Sequence, residues 1–366
     1  MSVAKNQKKS KKLKVNKEVI RRKESKLTKG RSKVKQVSQL RHNLVTDEWV
    51  VIATGRGKRP DHFVEKEEHI DNEDDIEKCL FCDPVASGQE KDVLIYKTEE
   101  DDWTLRIFPN KFPAFSRPRG GRVSHDEEGP YFMMDGVGYH EVIVTRDHYK
   151  HIGKMDPIMV AEVIDAYQTR YLDLMNKKSV RYVEIFHNHG KRSGASIKHP
   201  HSQLIAVPVV SPFTVQELKG AENYYVANKK CVFCTILEWE LDYGKRLVFE
   251  NDLFVVYCPF ASKMAFEMRI LPKKHMPYFE RISDDGKIAA GEALQEAIRR
   301  LTTVIEGVSF NFYIDTAPCD GKDYPHYHWH IEILPRTSTW AGFELSSGME
   351  INAMEPEIAA KYLREA

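Results

Sequence analysis

Phosphate-cradling glycine loops, magnesium motifs and long apolar runs are all missing from this chain of 366 residues. Without a P-loop or a magnesium motif beside its histidines, the usual nucleotide-triphosphate machinery is excluded. No segment reaches the roughly 18 apolar residues of a membrane span. The opening "KNQKKSKKLKVNK" is too polar for a signal-peptide core, so the expected location is cytoplasmic with no membrane partner. Cysteine is scarce, six in all, and four of the six fall in "CLFC" (Cys79, Cys82) and "CVFC" (Cys231, Cys234). In a reducing compartment that pairing points to metal binding rather than disulfides, with Cys258 and Cys319 as isolated thiols. Acidic residues are nearly absent at the start: residues 1 to 41 hold sixteen Lys and Arg against Glu18 and Glu24, although the whole chain carries only +1. The body is therefore acidic and the tail basic. Residues 1–38 contain no aromatic side chain and no sustained apolar face, which predicts a disordered arm. Such an arm has the chemistry for weak, salt-sensitive attraction to polyanions such as RNA.

What is present is a repeat. "HPHSQLI" (His199 to Ile205) and "HWHIEIL" (His328 to Leu334) share an H-x-H-x-[Q/E] pattern entering an apolar run. Upstream, "GYHEVIVTRDH" matches "AFEMRILPKKH", each a strand pattern ending in a histidine, His148 or His275. The interval from that histidine to the H-x-H is 51 residues in one half and 53 in the other, and each half begins with a CxxC. Two cysteines and two distant histidines form a closed tetrahedral zinc site of the structural type. The pattern assigns Cys79, Cys82, His148 and His199 to one zinc and Cys231, Cys234, His275 and His328 to a second. His326 and His330 compete with His328, and spacing alone does not choose among them. Between the strand-end histidine and the H-x-H each half carries a helical pattern, one opening at Asp156-Pro157 and one after Ser283. Each half reads as strands, a long helix and further strands, which is α+β with mainly antiparallel sheets.

Alternation along a strand would put His199, His201 and Gln203 on one face. With His199 on zinc, His201 stands rigid and unligated beside Asn188, Ser196 and Gln203, neutral donors suited to phosphate oxygens. A histidine so placed can attack an α-phosphorus and split one transfer into two steps. The competing class, a zinc-dependent nucleic-acid-binding protein, is suggested by the tail and the paired CxxC. Ligand intervals of 41 to 66 residues are too long for finger modules.

"GASIKHPHSQ", "CLFC", "RHNLVTDEWVVIATGRGKRP", "PNKFPAF" and "HWHIEILPR...AGFE" resemble the galactose-1-phosphate uridylyltransferase family of the histidine triad superfamily, from about Leu40 to the C-terminus. The resemblance implies two tandem histidine-triad-like halves, 39–212 and 213–366, a homodimer, and ping-pong nucleotidyl transfer acting on nucleotide-sugar and sugar-phosphate substrates. It makes His201 the nucleophile, His199 a zinc ligand, and Gln203, Asn188 and Ser196 phosphate contacts. It also makes Arg56 and Arg59 the basic pair facing substrate phosphates, places Asn110 and Phe112 in the nucleotide-binding segment and Glu344 on a hexose hydroxyl. His328 becomes the second site's ligand and His330 the nucleophile's counterpart in a half without chemistry. The expected reaction moves UMP from UDP-glucose to a hexose 1-phosphate; the alternative is adenylyl transfer to phosphate, as in ADP-glucose phosphorylase-like members. Departures are "SSGMEINA", which brings Glu350 toward the expected sugar site, and His187 and His189. No role is assigned to His62, His125, His140 or His151.

Overall fold

The computed structural model describes residues 37–56, 60–63, 74–118 and 123–366. The basic arm up to residue 36 and Arg59 lie outside the described residues. Among the described residues, fifteen strands form three sheets. β1 (Gln39–His42) and β2 (Trp49–Ile52) pair antiparallel, and β15 (Ile351–Asn352) adds in parallel to β2, so a segment near the end of the chain closes on one near its start. β5 (His125–Glu128) and β6 (Tyr131–Met134) form a separate hairpin.

The ten remaining strands make one continuous sheet. Its first half contains β3 (Leu94–Lys97), β4 (Trp103–Pro109), β7 (Tyr139–Thr145), β8 (Tyr182–His189) and β9 (His201–Val207). Its second contains β10 (Leu247–Glu250), β11 (Phe254–Tyr257), β12 (Met268–Pro272), β13 (Phe310–Asp315) and β14 (His330–Pro335). The order is β10-β11-β12-β14-β13-β8-β9-β7-β4-β3, antiparallel throughout. The two halves expected from the repeat thus meet edge to edge at β8 and β13, with Asn188 opposite Asn311. Joining the two edges satisfies backbone groups that separate sheets would expose.

Helix α1 (Asp74–Glu77) precedes the first CxxC. α2 (Pro157–Met175) starts where expected, the Asp156 carboxylate accepting from the Ile158 N–H with Pro157 in the first turn. α3 (Pro212–Asn228) and α4 (Val232–Tyr243) link the halves. α5 (Asp284–Val304) is capped by the Ser283 hydroxyl on the Gly286 N–H. α6 (Gly342–Ser347) and α7 (Pro356–Glu365) end the chain.

Strand alternation divides the large sheet into two environments. One face carries Leu105, Ile143, Ile185, Leu204, Phe312 and Ile331, and α2 and α5 cover it to form the main core. The two helices approach closely enough that a Cβ on Gly291 would lie 2.7 Å from the Ala161 nitrogen, so glycine is required there. The opposite face carries His201, Gln203, His330 and Glu332, with smaller apolar clusters beside each CxxC. α2 and α5 build the main core on one side, while the other side carries His201 and His330 and is packed by α3 and α4 in the second half.

Candidate active site

β9 begins at His201, not His199. Pro200 has no N–H to give a ladder, and the register with β7 ends at the Val144–His201 pair. His201 and Gln203 share a strand face as expected, and His199 stands just before the strand with its ring in the cysteine cluster on that side, where Phe81 touches both imidazoles.

In that cluster the ligand atoms of Cys79, Cys82, His148 and His199 lie within 4.8 Å of one another. The Cys82 sulfur is 3.1 Å from His148 Nδ1, and both sulfurs are 3.5 Å from His199 Nδ1. His199 Nε2 sits 2.6 Å from the Thr145 carbonyl oxygen and donates to it, which leaves Nδ1 a lone pair. Burial lowers His199 to about 4, so it is neutral, as a ligand must be. Burial and the neighbouring Cys79 push Cys82 up to about 12; a cation between the sulfurs would offset that repulsion. The second cluster, Cys231, Cys234, His275 and His328, meets the same distance condition. His275 Nε2 donates to the Pro325 carbonyl at 2.9 Å and its Nδ1 lies 3.4 Å from the Cys234 sulfur. Two sulfurs and two Nδ1 atoms, with the second nitrogens of His199 and His275 anchored on carbonyls, fit a metal ion in both halves. His328, and neither His326 nor His330, is the one that joins the cysteines.

His201 is buried. Its Nδ1–H donates to the His199 carbonyl at 2.9 Å, so Nε2 holds the lone pair. Phe81, inside the first CxxC, packs edge-on to the imidazole at 5.0 Å. Burial lowers the His201 pKa and keeps it uncharged near neutrality. A neutral imidazole with one nitrogen tethered and the other lone-paired is a competent nucleophile.

The neutral donors are organised from behind. Asn188 Oδ1 accepts from Asn311 Nδ2 at 2.6 Å, and Asn311 Oδ1 in turn accepts from Arg336 Nε at 2.6 Å. The acceptor oxygen of Asn188 is occupied, which leaves its NH2 group to donate. Gln203 Oε1 lies 2.9 Å from His140 Nε2. Asn110 follows β4, and its Oδ1 accepts the Phe112 N–H at 2.9 Å; the Phe112 ring is 81% exposed. Ser196 is exposed in the loop leading to His199. Arg56 ends a 3-10 turn, Thr54–Arg56. Glu344 Oε2 accepts the Ala341 N–H at 3.0 Å and caps α6. Glu350 is buried with an oxygen 4.0 Å from Lys263 Nζ, and Lys263 pairs at 3.0 Å with Glu48. Asn311, Arg336 and His140 were missed by sequence reading, because each acts through a cross-strand neighbour that no local pattern reveals.

The departures His187 and His189 belong to the other face. His187 stacks on Phe312 with centroids 4.9 Å apart, and His189 stacks on Phe310 at 4.8 Å. His187 Nδ1 lies 3.0 Å from the Ser202 hydroxyl, which also bonds Tyr167 of α2. His187 is buried in the core and His189 half-buried beside it.

At the second H-x-H, His330 Nδ1 donates to the His328 carbonyl at 3.0 Å and Phe233 packs on the ring at 5.0 Å, repeating the His201 arrangement. Its Nε2, however, faces Asp315 at 3.5 Å and Glu332 at 3.7 Å. Glu217 belongs to the same buried group and accepts from the Tyr327 hydroxyl at 2.7 Å. Arg269 forks onto Glu332. Burial raises the pKa of Glu217 and Asp315. Three carboxyl groups, not neutral donors, surround His330.

Residues 27–211, about half of the chain, match the family model for the galactose-1-phosphate uridyl transferase N-terminal domain. Residues 122–365 match a domain of unknown function, DUF4921. An ADP-glucose phosphorylase of Arabidopsis thaliana is 30% identical over 341 residues, covering 92% of this chain and 95% of that protein. A galactose-1-phosphate uridylyltransferase of Thermotoga maritima is 27% identical over 336 residues, covering 89% and 98%. The solved structure of an Arabidopsis thaliana ADP-glucose phosphorylase with bound ADP-glucose superposes with a TM-score of 0.76 at 27% identity, covering 90% of this chain and 99% of that one.

Proposed function

The chain belongs to the galactose-1-phosphate uridylyltransferase family, and from that premise we propose that His201 carries a nucleoside monophosphate between a nucleotide sugar and a phosphorylated acceptor. The observation that carries this is the His201 tether: Nδ1–H on the His199 carbonyl, Nε2 lone-paired, the ring neutral. Nε2 attacks the α-phosphorus of UDP-glucose, an N–P bond forms, the P–O bond to the β-phosphate breaks, and glucose 1-phosphate leaves. In the second step a phosphate oxygen of a hexose 1-phosphate attacks the same phosphorus and the N–P bond breaks, returning His201 to its starting state. The His199 carbonyl stabilises the positive charge that the ring gains at each attack. The NH2 groups of Gln203 and Asn188 supply donors to the non-bridging oxygens, preorganised because their own oxygens are already bonded. Phe112 offers its exposed face to the base, and Arg56 and Arg59 meet the substrate phosphates.

Zinc is the ion we assign to both Cys2His2 clusters, two per chain. At such closed sites it supplies structural rigidity, with no position open to substrate. In the first half His199 would ligate through its ring while its carbonyl holds His201. The same reading makes the protein a cytoplasmic homodimer, which sedimentation at micromolar concentration tests.

Adenylyl transfer from ADP-glucose to phosphate is the second reading, favoured by the 30% identical Arabidopsis thaliana relative. Rapid mixing of the protein with UDP-glucose or ADP-glucose, without acceptor, separates the two. The true donor releases glucose 1-phosphate in a burst equal to the active sites, and a following addition of galactose 1-phosphate or phosphate identifies the acceptor. No burst with either donor would contradict covalent transfer.

A further inference from the structure

His140 is on β7, opposite Ile205 of β9, one diagonal step from Gln203 on the same sheet face. Its Nδ1 accepts the Ala114 N–H at 3.2 Å. Burial lowers its pKa, and a neutral imidazole that accepts at Nδ1 carries its one proton on Nε2. That Nε2–H faces Gln203 Oε1 at 2.9 Å. Asn110 Nδ2 is also 3.2 Å from Nε2, but Asn110 Oδ1 is committed to the Phe112 N–H. An NH2 group cannot accept a proton, so the Nε2–H belongs to Gln203. The backbone N–H of Ala114 thereby sets the tautomer of His140, and the tautomer sets which way the Gln203 amide points.

We propose that His140 is a positioning residue for nucleotidyl transfer: it holds Gln203 with its oxygen turned inward, so that the amide NH2 always faces the phosphate beside His201. This rests on the His201 reading above. Without His140 the amide can present either its oxygen or its NH2, and an oxygen toward a phosphoryl group repels it. The benefit of the fixed amide is greatest where negative charge develops, so the effect falls on the rate of phosphorus transfer more than on binding. The segment 110–114, anchored by the same ring, ties this orientation to the loop that presents Phe112.

The test is a single-turnover measurement of nucleotidyl adduct on the intact protein with UDP-glucose and, separately, ADP-glucose. His140→Phe keeps the ring volume and removes both nitrogens. It should slow adduct formation about tenfold with half-saturation changed less than about twofold. His140→Gln places an amide N–H where Nε2–H was and should recover the rate to within about threefold of the parent. In a Gln203→Ala background, His140→Phe should have little further effect, because its target is gone. Equal slowing in both backgrounds would overturn the proposal and leave His140 a support for the fold or for segment 110–114. Unchanged adduct rate in His140→Phe would overturn it as well. If His140→Phe does not fold, His140→Glu replaces it: equal in length to glutamine and only an acceptor, it turns the Gln203 oxygen outward and should be slower than His140→Gln, by a margin that shrinks when Gln203 is alanine. A parent protein that forms no adduct with either donor would instead overturn nucleotidyl transfer itself, and the role of His140 with it.

Discussion

Two H-x-H strands stand on the same face of one sheet, tethered alike and packed by matching CxxC phenylalanines, yet they are fit for different things. At β9 the residue after His201 on that face is Gln203, and its cross-strand partner is Val142. At β14 the corresponding residue is Glu332, and its partner is Arg269. One replacement, glutamine by glutamate, changes a neutral donor into a carboxylate that needs a cation. The arginine that answers it pairs with Glu332, and Asp315 and Glu217 complete a buried acidic group around His330. Two alike scaffolds stand in one sheet, and buried carboxyl groups surround the histidine of only one of them. The lesson is that imidazole geometry alone does not make a nucleophile; what faces Nε2 decides.

The largest expected contrast is between the two histidines. His201→Ala should lower transfer by about 10⁴-fold or more while zinc content and melting stay close to the parent, and His201→Gly should regain turnover of a pre-activated nucleotide when imidazole is added. His330→Ala should keep most of the transfer rate and instead lose about 2–3 kcal/mol of stability to the cavity it leaves. Equal loss of transfer in the two variants would break the comparison.

Next in size are the metal clusters. Cys82→Ser and Cys234→Ser should each lower zinc by one ion per chain and cost several kcal/mol, since structural zinc contributes its binding energy to folding. Only the first should also stop transfer in the protein that remains folded, because only that cluster fixes His199 and, through its carbonyl, His201. Elemental analysis with paired melting curves measures both. A parent protein with fewer than one zinc per chain would contradict the assignment.

Arg269→Met comes third. It leaves Glu332 buried without its cation and should cost about 3–5 kcal/mol in urea unfolding, most of it regained when Glu332→Gln is added. Opposite Gln203 stands the buried, uncharged Val142, so Val142→Met should cost about 1–3 kcal/mol from overpacking alone, with none of it regained when Gln203→Glu is added.

The smallest effect concerns pH. Burial lowers His151 to about 3, against an ordinary value of 6.5. The folded state therefore disfavours the charged ring, and the stability His151 contributes is complete above pH 6.5 and lost progressively as pH falls toward 3. Tyr278 holds the equivalent place three residues after His275. His151→Asn, which keeps an acceptor for the Gly153 N–H that His151 Nδ1 now serves, should flatten the fall in melting temperature between pH 7 and about 5. Tyr278→Phe should not.

The clusters and the tandem plan were legible because chemistry forces their spelling: CxxC, the strand-end histidine and H-x-H must recur wherever that metal site recurs. The helix starts at Asp156 and Ser283 were legible because caps are local. The single ten-stranded sheet was not, since nothing in β8 or β13 announces that their edges meet. His199 fell outside its strand because Pro200 ends the ladder, a detail that simple alternation overlooks. His187 and His189 looked like site departures until the register put them on the sheet face opposite His201, stacked on phenylalanines from the other half. His140 was invisible for the same reason that it matters: its partner is a diagonal neighbour on another strand.

The most direct measurement is peptide mapping of protein trapped with radiolabelled UDP-glucose or ADP-glucose in the absence of acceptor. One acid-labile, base-stable nucleotidyl group per chain should lie on the peptide containing His201, and acceptor should discharge it. Label on the peptide containing His330, or turnover by a protein that never carries label at His201, would contradict the assignment of chemistry to the first half alone.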